Sequence, residues 1–187
     1  MEKRAETYGN RIMRVAITGP ECTGKSTLTM QLAQHYNTVF VPEYAREYVV
    51  SLNRPYHFQD VVHIAETQIR QADEFTGKAH DLLFLDTYLI ITKVWFDVVF
   101  KRHPDWIDDA LGLKNINLYL LCNTDIPWVP DPVRENGGEM REKLFQLYKR
   151  ELDMLGSNYR IISGYGEKRL QEAIVAVDEM VLHDSMH

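Results

Sequence analysis

The sequence predicts an α/β fold in which a five-stranded parallel sheet lies between two layers of helices. Short apolar runs alternate with longer amphipathic segments along the chain, which is the pattern of strands joined by crossover helices. A glycine-rich loop follows the first of these runs. The 187 residues are enough for one domain with a substantial core.

The strands are predicted from short runs rich in Val, Ile, Leu and Phe that are bounded by glycine, proline or polar residues. In chain order these runs are RVAITG, TVFVPE, LLFLD, INLYLLCN and YRIIS. Helical segments between them predict parallel rather than hairpin pairing.

Apolar residues recur every three or four positions between these runs, which predicts amphipathic helices. In the segment 58–78, for example, Val61, Ala65, Ile69 and Ala72 share one face. On this basis helices are predicted over residues 25–36, 58–78, 139–155 and 168–182. The apolar stretch YLIITKVWFDVVFKR indicates a buried helix, YAREYVVSL a short helix or turn, and TDIPWVPDPVRENGGE a loop.

Composition and charge limit the classes of function. The net charge of −6 argues against the basic surface of a general nucleic-acid binder. The longest apolar runs are far shorter than a membrane span, and the two cysteines form no disulfide framework or zinc spacing. Residues 1–12 are predicted to be a flexible polar leader that lacks the apolar core of a signal peptide. Residues 13–187 are predicted to form a single domain. We therefore expect a cytoplasmic protein with a small-molecule substrate and no nucleic-acid or membrane partner; its oligomeric state is open.

Residues 19–26, GPECTGKS, match the phosphate-loop pattern G-x-x-x-x-G-K-S between a predicted strand and a predicted helix. The two glycines allow backbone angles that direct successive N–H groups at an anion, and the helix N-terminus adds its dipole. Lys25 supplies a positive charge for the β- and γ-phosphates, and Ser26 offers a hydroxyl to Mg²⁺. The loop is therefore predicted to bind ATP or GTP through Gly19, Glu21, Cys22, Thr23, Gly24, Lys25, Ser26 and Thr27.

The strand LLFLD ends in an acid, Asp86. An acid after four apolar residues at a strand end has a Walker-B-like position beside Mg²⁺, so Ser26 and Asp86 are the predicted metal ligands. The alternative is an aspartate that caps the next helix.

The segment VPEYAREY places Glu43 at the end of the second strand, on the sheet edge where ligands bind in such folds. A carboxylate there can accept the proton of a substrate hydroxyl and orient it for in-line attack. Arg46 shares a helical face with Glu43 and is a candidate to hold that carboxylate or a substrate phosphate. The alternative is a surface ion pair of little energetic weight. Asp86 is a second candidate for the base and for substrate contact.

A flat base in the substrate would need an aromatic partner. The candidates are Tyr44, Tyr48, Tyr56, Trp95 and Trp128, and of these Tyr44 is predicted to bind substrate. Each aromatic residue, taken singly, has a core or surface position as its alternative.

The loop rich in proline and glycine carries Arg134, and Arg141 follows it. A mobile lid over about residues 125–142 would bring both arginines to the γ-phosphate, where they offset developing charge; the alternative is a plain surface loop. With the phosphate loop and the five-strand pattern, this lid is typical of nucleoside and nucleotide kinases, so the predicted fold is a three-layer P-loop NTPase type. The predicted catalytic residues are Lys25, Glu43, Asp86, Arg134 and Arg141.

Four segments together resemble the ribosylnicotinamide kinase domain of the NadR family: GPECTGKST, VPEYAREYV, FLDT and PWVPDPVRE. The phosphate loop is common to many families, whereas the second and fourth segments are much more specific. The resemblance extends over nearly the whole chain, from about residue 14 to residue 181. It implies ATP- and Mg²⁺-dependent phosphorylation of the 5′-hydroxyl of nicotinamide riboside, giving nicotinamide mononucleotide for NAD salvage.

Two other functions stay open on the sequence. One is a kinase for another nucleoside or a vitamin alcohol, and the other is a regulatory ATP-binding module. A nucleotide sensor has no need of an acceptor-side carboxylate such as Glu43, whereas a kinase does.

Overall fold

The computed structural model of the chain describes residues 12–129 and 137–186. Nearly all of the predicted leader, Arg134 and the middle of the predicted lid lie outside these described residues. Five strands and seven helices follow one another in the described part in the order β1 (Met13–Thr18), α1 (Lys25–His35), β2 (Phe40–Val41), α2 (Tyr44–Ser51), α3 (Phe58–Thr76), β3 (Leu82–Asp86), α4 (Leu89–Phe100), α5 (Asp105–Gly112), β4 (Leu118–Cys122), α6 (Gly138–Met154), β5 (Tyr159–Ile162) and α7 (Glu167–Asp184).

The strands form one parallel sheet in the order β2-β3-β1-β4-β5. In the central strand, Val15 pairs with Phe84 on one side and with Leu118 on the other. Because all strands are parallel, their carboxyl ends meet at one edge of the sheet, and the loops that follow β1, β2 and β3 lie there together. The predicted α/β class with a five-stranded parallel sheet is confirmed.

Helices cover both faces of the sheet because side chains of a strand alternate between the faces. Val15 and Ile17 belong to a core shared with α1 and α7, whereas Ala16 belongs to a core shared with α3, α4, α5 and α6. Every residue of β3 and of β4 is buried, as expected of strands covered on both faces.

One helix, α5, has no counterpart in the sequence prediction. It is only eight residues long, and just two of its side chains, Ile107 and Leu111, are buried. Within the described residues, no helix combines the length and apolar character needed to cross a lipid bilayer.

Candidate functional site

A cavity of about 360 Å³ lies at the carboxyl-terminal edge of the sheet. The loop between β1 and α1 forms one wall, and α2, α3, α4 and α6 contribute the others. All eight residues that the sequence predicts to bind the phosphates line this cavity. Its volume is in the usual range for a small-molecule site.

The backbone of the phosphate loop depends on its two glycines. Gly19 has φ +139°, and a Cβ there would lie 2.8 Å from the carbonyl oxygen of Cys122, so a side chain cannot be accommodated between β1 and β4. Gly24, with φ +75°, caps α1 and accepts a hydrogen bond of 2.9 Å from the N–H of Leu28. The loop therefore passes directly into the N-terminus of α1, which favours bound anions.

Side chains of the loop hold it in shape. The Thr23 hydroxyl and the Lys25 ammonium each donate to the carbonyl of Pro20 at 2.8 Å. An ammonium has three N–H groups, so this single bond leaves Lys25 donors for an anion in the cavity. The Cys22 thiol donates to the carbonyl of Val129 at 3.3 Å.

Arg141 holds the loop from the first turn of α6. Its side chain is buried, and its Nε and Nη2 donate to the carbonyls of Glu21 and Cys22 at 3.0 and 2.8 Å. A loop that turns its N–H groups toward one side leaves carbonyl oxygens without backbone partners, and the guanidinium fork supplies donors for two of them. The structure places the Arg141 side chain against the loop backbone, and its contact with a γ-phosphate stays a prediction.

Asp86 ends β3 and is 4% exposed. Its Oδ1 atom has no hydrogen-bond partner among the described residues. Burial raises the pKa of Asp86 to about 6; the nearby Ser26 hydroxyl and Lys25 ammonium oppose this effect, and the negative charge of Glu43 adds to it. Asp86 itself is not among the residues that line the cavity.

The residues around Asp86 fit a magnesium site. A metal ion would satisfy the unpartnered carboxylate oxygen, and Ser26, on the cavity wall, supplies a hydroxyl oxygen. Mg²⁺ prefers hard oxygen ligands and takes most of them from phosphates and water. One carboxylate and one hydroxyl from the protein are therefore a suitable donor set.

Glu43 and Arg46 line the cavity next to the phosphate loop. Glu43 is half-buried and has an extended backbone that directly precedes the first residue of α2. The structure thus brings the predicted acceptor carboxylate and the phosphate-binding residues into one cavity.

Tyr44 is not among the residues that line the cavity with Glu43, and its role in substrate binding stays a prediction. Its hydroxyl makes a hydrogen bond of 2.8 Å with Nε2 of His63, and its ring stacks on Tyr48 with centroids 5.5 Å apart. The opposite side of α2 faces the cavity, through Ala45, Arg46 and Val49.

The wall formed by α4 and the chain before α3 is aromatic and aliphatic. Tyr56 and Trp95, two of the aromatic residues singled out from the sequence, line the cavity and meet edge to face, with ring centroids 4.9 Å apart. Tyr48 and Trp128 are not among the lining residues. Ile91, Val98 and Val99 complete this part of the wall.

Four further cavity residues escaped the sequence analysis. Gln68 and Thr92 are joined by a hydrogen bond of 2.7 Å across α3 and α4. Tyr148 of α6 is buried, and burial, followed by the charges of Glu21 and Glu43, raises its pKa. Thr87 has φ +68°, an uncommon backbone for a β-branched residue and one that clusters at functional sites.

Sequence signals existed for two of these four. Gln68 is a polar residue within the apolar stripe of α3, which is the mark of a buried polar group with a specific partner. Thr87 directly follows the predicted metal ligand Asp86. Tyr148 fits the apolar face of α6, so nothing in the pattern separates it from an ordinary core residue.

A family model for the AAA domain (AAA_28) matches residues 14–169. Two curated relatives are the trifunctional NAD biosynthesis/regulator protein NadR of Salmonella typhimurium LT2 and that of Escherichia coli K12. Each is 30% identical over 139 residues, an alignment that covers 72% of this chain and 34% of the relative. The chain therefore spans about a third of the length of these relatives.

Solved structures share the fold. NadR protein in complex with NR matches with a TM-score of 0.69 at 24% identity, over 91% of this chain and 52% of that chain. NadR protein in complex with NAD and AMP-PNP matches with a TM-score of 0.70 at 24% identity, over 91% and 50%. Deoxyadenosine kinase from M. mycoides, with dCMP and dCDP bound, matches with a TM-score of 0.59 at 12% identity, over 89% and 98%.

The family model covers most of the chain and begins within β1, just before the phosphate loop. The chain shares both sequence identity and fold with the matched segment of NadR. The chain therefore belongs to the AAA domain family and is homologous to NadR in the region that the two share.

Proposed function

We propose that the chain is an ATP-dependent kinase, with one kinase domain over residues 13–187, that phosphorylates the 5′-hydroxyl of nicotinamide riboside to give nicotinamide mononucleotide. The observation that carries this proposal is the shared cavity, in which the carboxylate of Glu43 lies with the phosphate-binding loop. A phosphate loop alone is enough for a switch or a sensor, but an acceptor-side carboxylate has a use only when a hydroxyl must be activated.

Each residue has a defined task in this reaction. The loop N–H groups and Lys25 bind the phosphates of ATP. Glu43 accepts the proton of the substrate hydroxyl while the hydroxyl oxygen of the substrate forms a bond to the γ-phosphorus of ATP. The bond between that phosphorus and the bridging β,γ-oxygen breaks at the same time, and ADP is released. Mg²⁺, held by Ser26 and Asp86, would neutralise charge on the phosphates. Arg141 keeps the loop in its binding conformation, and Arg134 remains a proposed contact to the γ-phosphate.

The structure favours Glu43 over Asp86 as the base. Glu43 lines the cavity and is half-buried, so a substrate hydroxyl can reach it. Asp86 is almost fully buried, lies outside the cavity lining and has an unpartnered oxygen suited to a metal ion. The two carboxylates therefore suit different tasks in one site.

Nicotinamide riboside is proposed as the acceptor because of the homology to NadR, whose name states a role in NAD biosynthesis and whose crystal structures hold NR, NAD and AMP-PNP. The cavity agrees in size and in chemistry, with Tyr56 and Trp95 available to a flat ring. A second candidate is a kinase for another nucleoside, which the structural likeness to deoxyadenosine kinase favours.

The proposal is tested by measuring ADP release in a coupled assay with Mg²⁺-ATP and a panel of nucleosides and vitamin alcohols. We expect the highest kcat/KM with nicotinamide riboside. Preference for another nucleoside would select the second candidate, and the absence of acceptor-dependent ADP release would leave the regulatory module.

Glu43→Gln tests the assigned base. It should lower kcat by ~10²-fold or more with little change in ATP affinity, since only the proton acceptor is lost. Glu47→Gln is the matched control, because Glu47 is exposed on α2, the helix that directly follows Glu43, and does not line the cavity. Equal kcat for Glu43→Gln and wild type would remove Glu43 from the mechanism.

A further inference from the structure

We propose that Gln68, oriented by Thr92, recognises a carbonyl oxygen on the ring of the acceptor and thereby selects a ring that carries a carboxamide. This inference rests on the proposed function and adds to it the group that reads the ring. The residue acts on specificity, since it lies on the wall of α3 and α4 rather than in the phosphate loop.

The geometry begins with two buried polar side chains on neighbouring helices. Gln68 of α3 is 5% exposed and Thr92 of α4 is 1% exposed. The Thr92 hydroxyl donates to Oε1 of Gln68 at 2.7 Å. Both residues also line the cavity, so the pair joins the helix interface to the site.

This hydrogen bond fixes which end of the amide is available to a ligand. A glutamine amide has one acceptor oxygen and an NH₂ group with two donors. Since Oε1 accepts from Thr92, the NH₂ group is left, and it donates no hydrogen bond to any described residue. A carbonyl oxygen of the ligand placed against this NH₂ group would accept its hydrogen bond.

The surrounding wall makes this amide the main polar feature that a ring would meet. Tyr56, Ile91, Trp95 and the two valines of α4 present aromatic and aliphatic surface, and none of the described residues on this wall is charged. A ring without an acceptor would leave this NH₂ group without a partner on the ligand. A polar group built for one hydrogen bond rejects analogues that lack its partner.

The test compares nicotinamide riboside with the pyridine riboside that lacks the carboxamide, using the full chain and Mg²⁺-ATP. Wild type should prefer nicotinamide riboside by about 10-fold in kcat/KM, the usual scale for one buried hydrogen bond. Gln68→Met should lose about 10-fold on nicotinamide riboside and less than about 2-fold on the other riboside. Gln59→Met is the matched control, because Gln59 is exposed on the same helix and lies outside the cavity.

Thr92 is a positioning residue and has its own readout. Thr92→Val should reduce the preference for nicotinamide riboside, because the amide is then free to turn, whereas Thr92→Ser keeps the hydroxyl and should retain the preference. Gln68→Leu removes the donor with a branched side chain that differs in shape from methionine. It should lose the preference as Gln68→Met does, and it tests the idea independently of side-chain shape.

The outcomes separate this inference from the proposed function. Suppose that the wild type phosphorylates nicotinamide riboside but the Gln68 variants lose activity equally on both ribosides. This result would overturn the role of Gln68 and leave the kinase function standing. Turnover of neither riboside by wild type would overturn both. A folded Gln68→Leu variant that keeps the full preference would also overturn the inference.

Discussion

Replacing Arg141 tests whether α6 holds the phosphate loop through its guanidinium. Arg141→Met removes the hydrogen bonds to the carbonyls of Glu21 and Cys22 while keeping much of the aliphatic bulk. Hydrogen bonds from charged groups contribute about 1.5–3 kcal/mol each. Because the freed carbonyls adjoin the cavity and can regain water, we take the lower value, which gives a loss of about 3 kcal/mol for the pair.

A loss of this size should be easy to measure. For a chain of this length it lowers Tm by about 6–12 °C, and it raises the KM for ATP because the loop is less well ordered. Arg141→Lys can restore one donor interaction and should recover part of the loss. Arg150→Met is the matched control, since Arg150 is exposed on the same helix.

Thermal unfolding followed by circular dichroism, together with steady-state kinetics, distinguishes two roles for Arg141. Lower stability with a raised KM for ATP supports the loop contact. Unchanged Tm with strongly reduced kcat would refute this reasoning and would return the side chain to the γ-phosphate, where the sequence analysis expects it.

Three further perturbations probe other parts of the molecule. Lys25→Ala should abolish phosphoryl transfer while the protein stays folded, and retained ADP release would contradict the phosphate-loop assignment. Burial disfavours the protonated ring of His103, but hydrogen bonds to Asp108 and Asp97 outweigh burial and raise its pKa above 6.5. His103→Gln should therefore destabilise the protein more at pH 5.5 than at pH 8.5, and urea unfolding that shows equal losses would refute the linkage. Iodoacetamide should label Cys22 more slowly when Mg²⁺-ATP is bound, and mass spectrometry showing equal labelling would contradict this.

The sequence pattern was sufficient to predict a helix or strand wherever its apolar residues recurred at a clear period or its apolar run had a distinctive length. The long apolar run after Asp86 is indeed the helix α4, because fifteen residues exceed the length of an ordinary strand. The helix α5 was missed because its apolar stripe, formed by Trp106, Ile107, Ala110 and Leu111, extends over only eight residues, too few for a reliable period.

Side-chain direction was harder to predict than backbone structure. The short helix α2 has apolar or aromatic residues around much of its circumference, so periodicity cannot determine which side faces the cavity. Tertiary packing decides it: Tyr44 turns toward His63, and Val49 turns toward the cavity. Glu43 could be placed correctly because its position follows from the end of a parallel strand.

Contacts between distant segments were beyond prediction from one sequence. Arg141 meets the loop 120 residues before it, and the bond between Gln68 and Thr92 spans two helices. Such pairs depend on how elements pack, and neither local period nor motif spacing carries that information.

The order of the strands gives the site a modular origin. Among the described residues, the cavity lining outside the phosphate loop comes from one contiguous stretch, residues 43–99, apart from Leu144 and Tyr148. The phosphate loop precedes this stretch in the chain, and α6, the helix whose Arg141 holds the phosphate loop, follows it. Under the proposed function, exchange of this single internal segment between related chains would transfer acceptor preference while the phosphate loop and its support stay in place, a simple route by which one scaffold would acquire new substrates.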